Sequence, residues 1–404
     1  MVAHDLVAAM DTGACFARAG LDTFVPVAGR ALGEHSVVAV STDSATDDPD
    51  VDYRKTREAA LGLAGRYLYC KISSVLRGNI GSGLRALMDT LHSEKAVVCP
   101  AFPDNGRTLL QGKLLVDGIP VNRTYFASHP LTPSTESDIA ALLRRHGGFQ
   151  AVLTIPVEEV ERGPLYLAQR IREAGERIVV VDAVEQVHLR YIAEALAAGD
   201  SSWLPCGSAG LARELPFALG YGSAGVRPVE PVQSFTPALV VLGSRNEVTA
   251  RQLKRVEACS KVVVVPVRPI ELLRRRGRPA RIGQLAREAG NAVGRGTSAV
   301  LAATLTQYVP PLRLATADIL ATVAARVLRR WEVGGLVLSG ADTLRATCRT
   351  LEVTGIRVLN ELQPGIAVGE FVGGTAAGTR IIVKSGGFGR DGALVDIVRY
   401  FGGL

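Results

Sequence analysis

What most constrains this chain is the repeated alternation of short, unbroken, β-branched apolar runs with segments of helical period. IVVV at Ile178–Val181 and VVVV at Val262–Val265 contain no polar residue. A strand with one face in water alternates apolar and polar side chains. A strand that does not alternate is buried on both faces, as in parallel sheets covered by helices. Strands are expected at Ser36–Val40, Arg66–Ile72, Ala96–Cys99, Ala151–Ile155 and Arg177–Val181, then at Ala238–Gly243, Lys261–Val267, Ala299–Ala303, Gly335–Ser339 and Arg380–Lys384. Glu185–Ala198 and Ala315–Trp331 read as crossover helices. The expected fold is therefore α/β, with two α/β domains built on mainly parallel sheets.

A length of 404 residues fits two domains. The stretch Gly220–Pro237 is rich in Gly, Pro and Ser and lacks helical period. It divides the chain into a first domain at 1–222, a linker at 223–236 and a second domain at 237–404. Asp117-Gly118 between apolar runs predicts a hairpin over Leu114–Val121. The opening, Met1–Asp5, leaves no room for a full strand, so either the start is trimmed or the first strand is very short.

Several function classes are disfavoured. No apolar stretch is long enough to cross a membrane, and Leu6–Met10 is too short for a signal peptide. The six cysteines are scattered without metal or CxxC spacing, which fits reduced core thiols in a cytoplasmic protein; no protein metal site is expected. The formal charge of +7 is partly concentrated at Arg274, Arg275, Arg276, Arg278 and Arg281, but no aromatic residues interleave with them. A nucleic-acid partner is not expected.

The phosphate-binding signatures are equally selective. Gly373 and Gly378 have Walker A spacing, but Thr379-Arg380 follows where Lys-Ser is needed. No early strand is followed by G-x-G-x-x-G, which disfavours a nicotinamide-dependent oxidoreductase. Three glycine turns instead follow apolar strands in the second half: VVLGSRNEVTARQ (Val240–Gln252), LVLSGADTLRAT (Leu336–Thr347) and IIVKSGGFG (Ile381–Gly389). Glycine there lets backbone N–H groups approach phosphate oxygens. Ser244, Asp342 and Thr343 either touch a nucleotide or simply cap helices.

In the first half, KISSVLRGNIG (Lys71–Gly81) places Lys71 at a strand end, two serines after it, and Arg77-Gly78 before a helix. PAFPDNGR (Pro100–Arg107) builds a tight turn in which Asn105 and Gly106 fix Arg107. Asp5 and Asp11 are expected in an acidic turn. Two basic turns and an acidic one suit a small anionic hydroxy acid. The arginines would hold its carboxylate and an aspartate would orient or deprotonate a hydroxyl. The alternatives are surface arginines and a helix-start carboxylate.

Taken in order, these pieces, with DTGACFARAG (Asp11–Gly20), VVVDAVEQVHL (Val179–Leu189), CGSAGLA (Cys206–Ala212), SGADT and KSGGFG, resemble the four-carbon acid sugar kinases, which include threonate, erythronate and 3-oxo-tetronate kinases. The resemblance implies an N-terminal acid-sugar domain, a C-terminal ATP domain and an active site in the interdomain cleft. ATP, with Mg²⁺, would lie against Ser244, the turn Ser339, Gly340, Ala341, Asp342 and Thr343, and Gly386-Gly387. The acid would face Asp11, Lys71, Ser74, Arg77, Asn105 and Arg107. Asp5 would accept the hydroxyl proton, with Asp11 in reserve, and Arg77 would neutralise transferring oxygens. A homo-oligomer is compatible with this reading.

The acid side departs from the family pattern. HDLVAA (His4–Ala9) stands for D-D-L-T-G-A; Ser73 replaces an aspartate, Val75 a threonine, Gly83 a glutamate and His129 the aspartate of a D-P pair. Two readings follow. Either the kinase acts on an altered acid, or the chain is a weak or inactive ligand-binding homologue.

Overall fold

The computed structural model describes residues 1–27, 34–222, 237–244, 246–273, 277–303 and 312–402. The linker expected at 223–236, and Arg274–Arg276 of the basic cluster, lie outside them. Two compact units emerge: Met1–Asp22 with Ser36–Arg227, and Thr23–His35 with Pro228–Leu404. No helix among the described residues is long and apolar enough to cross a membrane.

Unit 1 is built on β1 (Val2–Ala3), β2 (Val40–Ser41), β3 (Cys70–Lys71), β4 (Lys95–Cys99), β5 (Val152–Ile155), β6 (Ile178–Val181) and β7 (Trp203–Gly207). They form one parallel sheet in the order β5-β6-β4-β7-β3-β1-β2. IVVV is β6, and all four side chains are fully buried, as a strand inside a covered sheet requires. The first strand is very short, yet it pairs on both sides: Ala3 stands opposite Lys71 and Ser41. That register matters, because the chain leaves all three strands side by side. The expected hairpin forms between Lys113–Val116 and Ile119–Pro120. Asp117 (φ 49°) and Gly118 (φ 80°) make its left-handed turn.

Unit 2 contains β8 (Ala238–Leu242), β9 (Val262–Val267), β10 (Ser298–Ala303), β11 (Gly335–Ser339), β12 (Gly355–Gln363), β13 (Ile366–Val372) and β14 (Arg380–Lys384). The order is β9-β10-β8-β11-β14-β13-β12, followed by Thr23–Pro26 from the N-terminal part of the chain. The first five strands are parallel, and the rest add antiparallel. VVVV lies on β9, at the sheet edge, so Val262–Val264 are only half-buried. One face of the sheet closes over a core that includes Val240, Val337, Ile382, Ile397 and Phe401.

Strands not expected from sequence include β7, the β12–β13 hairpin around Pro364-Gly365, Arg107–Leu110 and Thr23–Pro26. Asp11 also differs: it is not in a turn. Helix α1 (Leu6–Ala17) begins directly after Asp5, which leaves Asp11 buried on the second helical turn.

Candidate active site

Because Ala3 pairs with Lys71, His4 and Asp5 emerge from the sheet beside the end of β3. Asp5 caps α1, its Oδ1 accepting the Ala8 N–H at 2.7 Å. Its Oδ2 lies 3.5 Å from His4 Nε2. Burial alone would push the Asp5 carboxyl up, but His4, the Ala8 N–H, Lys71 and Arg77 outweigh it and hold it below the usual carboxylate range. His4 is pushed down to about 4, by burial first and then by Lys71 and Arg77 against the pull of Asp5. Asp5 is therefore a carboxylate, and His4 a neutral imidazole, at physiological pH.

Arg77 is presented by a strained loop. Leu76 takes φ 54° and Gly78 φ 82°, the latter a conformation that favours glycine. Two hydrogen bonds from Asn79 Nδ2, to the Ser44 (3.1 Å) and Asp47 (2.8 Å) carbonyls, pin the loop's end. Helix α3 (Ile80–Leu91) starts immediately after. Ser134 Oγ donates to the Val75 carbonyl at 2.5 Å from the other side. Burial pulls Arg77 below its ordinary range, while Asp5 and Tyr125 support its charge. Its buried Nε has no hydrogen-bond partner among the described residues. Such an orphaned donor fits an incoming carboxylate or phosphate oxygen.

His4, Lys71 and Arg77 line one pocket. Asn79, Thr42, Asp52, Thr56 and Gly83 complete its polar and open parts. Asp52 belongs to α2 (Pro49–Gly62) and is 3% exposed. Ser44 and Ser82 donate to its two oxygens at 2.5 and 2.6 Å. Burial, ahead of those hydrogen bonds, pushes Asp52 up.

Arg107, at the start of the Arg107–Leu110 strand, is buried and donates to the Asn105 carbonyl. Burial lowers it too, with Tyr125 and Asp117 as counterweights. Tyr125 thus acts on both Arg77 and Arg107. Asn105 serves Arg107 through its backbone. Ser74 is buried in the Lys71–Arg77 loop, and Asp11 is buried within α1. Neither lines the pocket. His129 Nδ1 accepts the Thr132 N–H at 3.2 Å, a turn-closing role. Asp52 and Tyr125 were not read from sequence. The only early cue was Asp52's place among the acids that open a helix.

In unit 2 the three glycine turns meet. A Cβ built on Gly386 would collide with the Ser244 side chain, one on Gly243 with Thr343, and one on Gly340 (φ 105°) would touch the Ser244 backbone at 3.6 Å. Thr249, on α4 (Glu247–Glu257), donates to the Gly386 carbonyl at 2.9 Å. Gln252 Nε2 donates to the carbonyls of Phe388, Gly389 and Arg390 at 3.0–3.1 Å. Lys384 is fully buried at the end of β14. Its Nζ donates to the Ser385 (3.0 Å) and Phe388 (3.1 Å) carbonyls. Burial pushes Lys384 down to about 7.

Ser244, Gly340, Thr343 and Gly386 are therefore assembled together. Ser339 ends β11 with a buried hydroxyl that has no hydrogen-bond partner among the described residues. Ala341 opens helix α5 (Ala341–Thr350), and Gly387 follows Gly386 in the loop. Asp342 is turned to Arg313 and Arg345, at 3.2 and 3.1 Å. Two helix N-termini, close backbone approach and several hydroxyls suit the phosphates of a nucleotide. No group of three metal-ligating side chains occurs among the described residues. Replacing Gly386 with Ala is expected to displace Ser244 and weaken ATP affinity at least tenfold, with the melting temperature changed by only a few degrees. Calorimetric titration and a melt check both parts.

Comparisons with known proteins match both halves of the chain. Residues 1–215 match a sugar-binding N-terminal domain and 239–394 a nucleotide-binding C-terminal domain. The chain is 33% identical to a D-erythronate kinase of Heliobacterium modesticaldum, over 99% of this chain and 96% of that one. It is 30% identical to a D-threonate kinase of Salmonella typhimurium, over 99% and 97%. A solved Salmonella typhimurium structure, described as a putative tRNA synthase, shares the fold with a TM-score of 0.81 over 98% of each chain at 23% identity. On these matches, the chain belongs to the four-carbon acid sugar kinase family.

Proposed function

We propose that the protein transfers the γ-phosphoryl group of ATP to a hydroxyl of a small sugar acid. The observation that carries this reading is the pocket at the ends of β1 and β3. Lys71 and Arg77, with its orphaned Nε, line it, and both act on Asp5, a carboxylate outside the lining that stays charged. The acid's carboxylate would be held by Arg77 and Lys71, with Arg107 beside them. Asp5 would orient the attacking hydroxyl and take its proton. Arg77 is placed to stabilise charge on the transferring oxygens, since phosphoryl transfer asks mainly for positioning and charge neutralisation. On unit 2, the backbone of the glycine turns and the hydroxyls of Ser244 and Thr343 would hold the phosphates. Mg²⁺ carried with the nucleotide would add charge neutralisation to what these residues supply.

The test combines a thermal-shift screen with an ADP-release assay. Stabilisation by ATP·Mg²⁺, and ADP release with D-threonate, D-erythronate or a related hydroxy acid, is the expected result. Stabilisation by acid and nucleotide without ADP release from any acid would replace this reading with that of a ligand-binding homologue. That second reading draws on Ser73 and Gly83, where the family pattern has carboxylates.

A further inference from the structure

The departures on the acid side leave one carboxylate in the pocket without an assignment. Asp52 is buried, lines the same pocket as Lys71 and Arg77, and pairs with neither of them. The charges that act on Asp5 include His4, Lys71 and Arg77, whereas those that act on Asp52 are Asp47 and Lys55 among the described residues. Its two oxygens each accept one serine hydroxyl, from Ser44 before α2 and from Ser82 on α3. A carboxylate offers about four acceptor sites, so roughly two remain for another donor.

The space beside it is open because residue 83 has no side chain. A Cβ there would lie 3.3 Å from Asp52 Oδ2 and 3.9 Å from Thr56 Oγ1. Gly83 sits inside a helix, where its φ is ordinary and glycine brings no conformational advantage. What it contributes is room in front of an acceptor. The serine bonds by themselves would serve a purely structural tie between α2 and α3, but such a tie requires neither a pocket wall nor a missing side chain.

We propose that Asp52 and Gly83 form a hydroxyl-reading subsite of the acid pocket. In it, the Asp52 carboxylate accepts a hydrogen bond from a substrate hydroxyl remote from the carboxylate that Arg77 and Lys71 hold. This rests on the acid-binding part of the proposed function and adds a specificity to it. The substrate class is a polyhydroxy monoacid. A dicarboxylate of the same length would set a second negative charge against Asp52 and is rejected. A deoxy analogue would leave the acceptor unpaired.

The test measures binding, so it does not depend on turnover. The full chain is titrated calorimetrically with D-threonate, D-erythronate, the 4-deoxy analogue of each, and tartrate as the four-carbon dicarboxylate. Wild type is expected to bind at least one of the two hydroxy acids at least tenfold more tightly than its deoxy analogue and than tartrate. Asp52→Asn is expected to lose most of that discrimination and to bind tartrate more tightly than wild type does. A gain for the dicarboxylate is something a merely structural loss would not produce. Asparagine can still accept one serine hydroxyl and donate to the other, so the α2–α3 tie survives. Gly83→Ala provides the second arm: acid affinity falls at least tenfold while the melting temperature holds or rises. The inference is overturned if neither acid binds wild type, if Asp52→Asn keeps the full preference over deoxy acid and tartrate, or if Gly83→Ala leaves acid affinity unchanged. Discrimination in binding with no ADP release would instead overturn the kinase reading and leave the subsite standing.

Discussion

Asp5→Asn is expected to lower kcat by roughly 10²–10⁴, the span that a positioned general base contributes, while KM for ATP stays within about threefold. The residues proposed to hold the nucleotide all belong to the other unit, which is why the second number should hold. Asparagine is as good an N-cap as aspartate, so the Ala8 N–H keeps its partner and α1 its start. What disappears is the charge that supports Arg77 and the oxygen that would receive a proton. Asp5→Ala removes the cap as well and should cost about 1 kcal/mol of stability in addition. Comparing the two variants separates catalysis from capping. The acid limb of the pH–rate profile carries further information: the carboxyl is held below its usual range, so activity should persist to a lower pH than an ordinary aspartate would allow. A kcat within a few-fold of wild type for Asp5→Asn would remove Asp5 from the mechanism.

Lys384 leads to the second large effect. Its folded-state value is about 7, against 10.5 for the free side chain. Between these pH values the unfolded chain binds the extra proton, so stability rises with pH across this window. Below pH 7 both states are charged and the full penalty of burying the ammonium applies; above 10.5 neither is charged. The gain has a ceiling of about 5 kcal/mol, at 1.36 kcal/mol per unit. Urea melts of wild type between pH 7 and 10 should show it, and Lys384→Met should flatten it. The same variant removes the donor that ties the carbonyls of Ser385 and Phe388. ATP affinity should then fall at least tenfold, although a side chain that is fully buried cannot itself touch a nucleotide. An unchanged affinity would mean that Gln252 and Thr249 alone hold the loop.

The parts of the fold legible in the sequence are those where one residue type decides the outcome. The β-branched runs mark parallel strands, fully buried for IVVV and half-buried at the sheet edge for VVVV, and Asp117-Gly118 marks its hairpin turn. β7 escaped notice because WLPCG contains proline and glycine, and only its position inside the sheet makes it a strand. β12 and β13 mix polar with apolar residues, as antiparallel strands toward one side of a sheet do. At the site, the strand-end residues Lys71, Ser244 and Ser339 follow from where strands stop. Asp52 does not, because its relation to Gly83 and Ser82 exists only once α2 packs on α3. Asp11 was misplaced for a local reason: with Asp5 as the cap, everything after it is helix.

The strand Thr23–Pro26 also has a history in time. It is made early in synthesis, yet its partner on β12 begins roughly 330 residues later. At about 5–20 residues per second, the ribosome takes on the order of 15–65 s to deliver that partner. During this interval Thr23–Pro26 has only the two-residue strand Val37–Val38 beside it. Unit 2 therefore cannot finish folding as an independent C-terminal piece. A fragment beginning at residue 237 would present β12 as a bare edge open to other chains.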